Sequence, residues 1–111
     1  MEIAKRTLTL RGRSGTIDIP IRIYAPVCEK PGVWRCRYEI GWPEGHHSLA
    51  GYGVDSMQAI IITLGMIGAE IYSSSYHKSG DLWWDAPGNG YGFPVVPALR
   101  DLLQGDDAKY L

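Results

Sequence analysis

Gly53-Val54-Asp55-Ser56-Met57-Gln58-Ala59-Ile60-Ile61-Ile62-Thr63-Leu64 reads as the capped start of one long helix. The short side chain of Asp55 is placed to accept from an orphan amide of the first turn. Gln58, three residues on, is placed to reach back to the Asp55 amide and complete a capping box. An advance of 100° per residue to about Ser75 puts Met57, Ile60, Leu64, Ile67, Gly68 and Ile71 on one side, flanked by Ile61 and Tyr72. That side is expected to lie on a sheet. Ala59, Ile62, Met66 and Ala69 form a second apolar stripe, relieved only by Gln58, Thr63 and Glu70. One sheet cannot cover both stripes, so the surplus predicts a partner. Gly65 and Gly68 each cost a helix about 1 kcal/mol relative to Ala, which predicts a close backbone approach there.

Before the helix the pattern has period two. Leu8 and Leu10 share one side of a first strand with Ala4 and, against the pattern, Arg6; Lys5, Thr7, Thr9 and Arg11 take the other. After the turn Gly12-Arg13-Ser14-Gly15, Ile17, Ile19, Ile21 and Ile23 alternate with polar residues and Pro20. Pro20 has no amide to give a ladder and predicts an edge or a bulge. A third strand follows the turn at Cys28 to Gly32, with Trp34, Cys36, Tyr38 and Ile40 inward. His47 to Tyr52 suits a short fourth strand with Leu49 inward. Asp81 to Asp85 suits a further short strand, and Ala98 to Leu103 a short helix behind Pro97, with a frayed tail after Gly105.

The expected fold is a single α+β domain over 1–111: an antiparallel four-stranded meander (about 2–53), one long helix on its apolar face (about 55–75) and a Gly/Pro-rich C-terminal arm with a short helix (about 78–105). At 111 residues a chain buries enough surface to need no metal or disulfide. Cys28 and Cys36, eight apart, fit neither a redox pair nor a zinc knuckle and are expected as reduced thiols. No secretory signal order opens the chain, and the apolar run Ala59 to Ala69 falls short of the roughly 20 residues that span a bilayer. A cytoplasmic protein without a membrane partner is expected. Charge is uneven: residues 1–39 carry eight Lys and Arg against four Asp and Glu, residues 40–111 three against eight. The two halves would attract different partners, or each other in a second copy.

No stretch carries a catalytic signature, and no catalytic residue, cofactor or metal is expected. His46, His47 and His77 lack metal-ligand spacing. Ser73, Ser74 and Ser75 beside His77 lack a nucleophile elbow and suit helix capping. Gly88-Asn89-Gly90-Tyr91-Gly92 lacks the lysine and the following helix of a phosphate loop and reads as turns. Lys5, Arg11, Arg22, Arg35 and Arg37 beside Tyr24 would suit a nucleic-acid backbone, but Asp18 and Glu39 share that face, so nucleic acid is not the expected partner. Trp83 and Trp84 cannot both face one side of a strand, so one of them should line a contact.

The run Trp34-x-Cys36, then Gly-Val-Asp-Ser-x-Gln-Ala at 53–59 and Gly92-Phe93-Pro94 resembles a family of small uncharacterised bacterial domains. The resemblance implies a fold and a bacterial cytoplasmic setting, and no reaction. The sheet-plus-helix form is also similar in style to immunity proteins that neutralise toxins. The leading expectation is a non-enzymatic protein interaction module, a homodimer or a partner for another protein, using Ala59, Ile62, Met66 and Ala69 with Trp83 or Trp84. The alternative is a small-ligand pocket between helix and arm, drawn from His77, Trp84, Asp85, Tyr91 and Phe93.

Overall fold

The computed structural model describes residues 1–95 and 101–111. Strands β1 (Glu2–Gly12), β2 (Gly15–Tyr24), β3 (Val27–Lys30), β4 (Val33–Trp42) and β5 (Gly45–Gly53) precede helices α1 (Ser56–Ser73) and α2 (Ser75–Lys78). A short strand β6 (Leu82–Trp83) and helix α3 (Asp106–Tyr110) follow. The sheet is antiparallel and has six strands, two more than the expected four. The strand β3 takes in Cys28 to Lys30, expected in a turn, and Pro26, which has no amide to donate, lies in the break between it and β2. β6 adds beside β1 through Thr9 with Trp83 and Leu10 with Leu82. Along β4, β5 takes one edge over its whole length, while β2 and β3 share the other.

Pro20 ends a ladder, as its missing amide requires. β2 pairs with β4 only over Ile21 to Ile23, and the stretch before Pro20 pairs with β1 alone. Leu8, Ile19, Ile21, Tyr38 and Ile40 face inward and are fully buried with Ile67 and Ile71 of α1. Tyr91, Phe93 and Val95 of the arm complete this core.

The cap forms nearly as the sequence predicts. The Gln58 amide donates to Asp55 Oδ1 at 2.8 Å, and Gln58 Oε1 accepts from Val54, rather than from Asp55, at 2.7 Å. The face that meets the sheet differs from expectation. Ala59, Thr63 and Ile67 are wholly buried, whereas Met57 and Ile61 are exposed. The cause lies in β5: a methyl built on Gly51 would sit 2.4 Å from Thr63 Oγ1, and one on Gly53 2.4 Å from the Ala59 amide nitrogen. Small residues on both elements let the helix come down to backbone distance, and Thr63 donates to the Cys36 carbonyl at 3.0 Å. The larger Met57 and Ile61 turn outward as a result. α1 has 18 residues with a mean hydropathy of 1.2, enough by length and composition alone to cross a membrane, although the sequence reading judged its apolar run too short. Its contacts are those of a core helix laid on a sheet.

The expected close approach occurs at Gly68, where a built methyl would lie 1.8 Å from the Pro94 carbonyl oxygen. The expected helix at 98–103 lies largely outside the described residues. The tail is not frayed: α3 forms beyond Gly105 and buries Asp107. Gly68→Ala should force Pro94 off the helix, with a stability loss of about 1–3 kcal/mol in urea unfolding. An unchanged midpoint would show that the arm does not need this contact.

Candidate functional site

Three regions gather the side chains with chemistry: the arm, a cleft at the C-terminal half of α1, and the free edge of β5.

In the arm, the residues expected to line one pocket are distributed among several contacts. Arg6, the charge that interrupts the inward pattern of β1, lies 3.8 Å from the centre of the Trp84 ring and 5.1 Å from that of Phe93. Its guanidinium donates to the carbonyls of Tyr91 and Gly92 at 3.1 and 3.2 Å. Asp107, 2% exposed, accepts from the amides of Tyr91 and Gly92 at 2.8 Å each and from the Tyr72 hydroxyl at 2.6 Å. Three donors on one carboxylate, with the Arg6 charge close by, are what a buried charge requires. His77 Nδ1 lies 2.6 Å from the Tyr91 hydroxyl, in a T-shaped cluster with Tyr72. Asp85 is exposed and carries a positive φ of 50°. Ser74 caps α2 by accepting from the His77 amide at 3.1 Å, a structural use of the serine cluster.

The second region is a cleft of about 610 Å³ between β4, β5 and the end of α1. At its base Glu70 accepts from the Tyr38 hydroxyl at 2.8 Å and from Trp42 Nε1 at 2.9 Å, and it meets His47 Nδ1 at 2.7 Å. Burial, reinforced by Glu70, holds the Tyr38 phenol well above its usual range. Trp42 stacks on Tyr76, whose hydroxyl donates to Glu44 at 2.8 Å. The cleft wall includes Leu49, Met66 and Ala69. Sequence reading weighed His47 only with the other histidines and missed Glu70. The signal was present, because a charged residue on the sheet-facing arc of a core helix requires partners. His46 and His47 fall on opposite sides of β5 and His77 pairs with Tyr91. Among the described residues no three potential ligands gather for a metal.

The third region continues from this cleft. Leu49, expected inward, does share the helix side of the sheet with Tyr38, but β5 is the last strand and leaves it 43% exposed. On the outer stripe of α1, Ile62 is 39% exposed, and Met66 and Ala69, which share the cleft wall with Leu49, are half-buried. Ala59 is fully buried against β5 and contributes nothing to an outside surface. Trp83 pairs in β6, and Trp84 lies under Arg6. β6 stands at the opposite end of the sheet from β5, so neither tryptophan adjoins Ile62.

On the outer sheet face, Arg22 pairs with Glu2 at 3.1 Å and Arg35 with Glu29 at 2.9 Å. Arg37 lies over Tyr24, whose hydroxyl donates to Glu39. Cys28 is exposed and Cys36 buried, both as free thiols.

The arm cluster carries a pH signature. Burial first, and then the Lys78 charge, hold the His77 imidazole below its usual 6.5. The unfolded chain therefore takes up that proton earlier, so the contribution is complete above 6.5 and declines as pH falls through the folded value. Burial first, then Asp107, push the Tyr91 phenol up from 10.0 to about 12. Its contribution is complete below pH 10 and is lost as pH rises toward 12. Urea midpoints should fall on both flanks, and His77→Gln should flatten the decline that begins as pH drops below 6.5. An unaltered acid limb in that variant would remove His77 from the account.

No curated protein and no solved structure matches the chain. A family model described as a domain of unknown function, DUF6968, matches residues 4–95. The match takes in the sheet from Ala4 onward, α1, α2 and the arm as far as Val95, and it leaves Asp107 and α3 outside. With nearly all of its sheet and the whole of its long helix lying within that span, the chain belongs to the DUF6968 family.

Proposed function

We propose that the chain is a non-enzymatic, cytoplasmic interaction module that self-associates through the free edge of β5 and the apolar strip beside it. The observation that carries this reading is the character of that edge. β5 runs for nine residues, pairs on one side only, and keeps a regular register with β4 from Trp34 opposite Gly53 to Trp42 opposite Gly45. It contains no Lys, Arg, Asp, Glu or Pro. Such an edge is a template for another strand, and proteins ordinarily blunt one with charge, proline or a bulge.

The other open edges of this sheet carry those devices. The open stretch of β2 has Asp18 and Pro20, that of β1 has Lys5 and Arg6, and β3 has Glu29, Lys30 and a register shift between Cys28 and Lys30. β6, the remaining open strand, is only two residues long, so among the described strands β5 is the one long edge without such a device. Antiparallel pairing of β5 with its copy about a twofold axis is self-complementary and brings no charged side chain of that strand against its like. It also carries Leu49, Ile62, Met66 and Ala69 of one protomer toward the same residues of its partner, covering the surplus helix stripe. The carboxylate partners of Arg22, Arg35 and Arg37 favour an ordinary solvated surface on the outer face over a nucleic-acid site.

Ile62→Glu should keep the circular dichroism of the parent while light scattering falls from dimer to monomer mass. Amide exchange separates two modes of assembly. Successive amides of an edge strand point alternately to its neighbour and to solvent. Uninterrupted protection along Gly45–Gly53 in the parent, alternating in Ile62→Glu, is expected for strand pairing. A dimer with alternating protection would place the contact on the helices alone, and a parent of monomer mass would refute self-association.

A further inference from the structure

We propose that the loop Gly88–Gly92, with Tyr72 and Arg6, forms a carboxylate-binding site that Asp107 fills from within the chain. Its geometry is that of carboxylate recognition. Oδ2 of Asp107 receives the Tyr91 amide and the Tyr72 hydroxyl, and Oδ1 receives the Gly92 amide, so the two oxygens of one planar group are read separately. Near-successive amides turned onto one anion by residues at positive φ form a nest; here Gly90 and Gly92 have φ of 85° and 77°. A methyl built on Gly90 would lie 2.5 Å from the Asp107 carboxyl carbon, so only glycine admits the anion so near the backbone. Arg6 holds the Tyr91 and Gly92 carbonyls from the other side, orienting their loop and adding positive charge.

Two observations make Asp107 an occupant rather than part of the frame. Asp107 is the only buried residue of α3, a helix with no side-chain cap, so the helix is held mainly through the carboxylate and neighbouring polar contacts. The donors Tyr72, Tyr91 and Gly92, and the Arg6 that holds their loop, also lie within the family match, and Asp107 lies beyond it. A second carboxylate entering as α3 leaves would exchange like hydrogen bonds for like, so the two compete on nearly even enthalpy. Beside the nest is a cavity of about 260 Å³, lined by Trp84, Asn89, Asp85 and Asp106 among others. Asp106 belongs to α3 and leaves with it, while Arg6, Trp84 and Asp85 stay, so the ligand class is a carboxylate whose remainder is apolar and lies against Trp84.

The test uses acetate as the probe on full-length Asp107→Ala, with chloride at equal ionic strength as the control. Acetate should raise the thermal midpoint of the variant well above the chloride value and shift the Tyr91 and Gly92 amide resonances saturably. The parent, whose tethered Asp107 acts at high effective concentration, should show neither response. If the variant is unfolded in chloride, acetate should restore folding. Asp107→Asn, which keeps the shape without the charge, provides the second reading: its Tyr91 and Gly92 amides should shift with acetate. Equal responses to acetate and chloride in both variants would overturn the proposal.

Discussion

The Thr63 hydroxyl donates to the Cys36 carbonyl at a place where Gly51 has no side chain to hold the helix away, and this contact sets where α1 lies on the sheet. It draws the helix down over β4 and β5, at one end of the sheet rather than across the middle. Two consequences follow from that offset. The inward residues of β1 and β2 are left to the arm, which supplies Tyr91, Phe93 and Val95. The outer stripe of the helix lies beside the last strand, and Ile62 on the one and Leu49 on the other remain exposed. A bulkier residue at position 51 would lift the helix and dissolve both arrangements.

The arm satisfies its half of the core by unusual means for a segment rich in glycine and proline. With little regular structure of its own, it is tied down by charge. Arg6 reaches up from β1 between Trp84 and Phe93, and Asp107 gathers the loop amides below them. A buried carboxylate is tolerable because every oxygen has donors, and the cost of removing one partner exceeds what the pair itself contributes. The same concentration of polar contacts at one point ties the arm's pH dependence to His77 and Tyr91.

Much of the fold could be read from local signals. Period-two alternation marked the strands, Asp55 and Gln58 marked the helix start, and Gly68 marked a close backbone approach without naming the arm that makes it. What could not be read was the rotation of α1 about its axis. Counting apolar residues favours Met57 and Ile60 as the buried side, but contact distance was decided by glycines fifteen or fewer residues earlier, on another element. Arg6 and Glu70 were legible as anomalies only. A charged residue on an inward face says that a partner exists, while the partners themselves, at 85 and 32 residues' separation, depend on tertiary structure. The Leu49 and Ile62 surface was half visible: the helix stripe was expected, but the strand edge that gives it a geometry was not. Trp83 and Trp84 drew attention by composition, yet they serve the opposite end of the sheet.

The unblunted edge of β5 is the organising feature of the surface, and the proposed consequence is a sheet continued across a twofold axis. Sedimentation equilibrium of the unmodified protein over a wide range of concentration tests this most directly. The account predicts a reversible rise from the protomer mass of 12.3 kDa to twice that value, with no larger species because the edge is consumed by one partner. A constant 12.3 kDa at every concentration would contradict it.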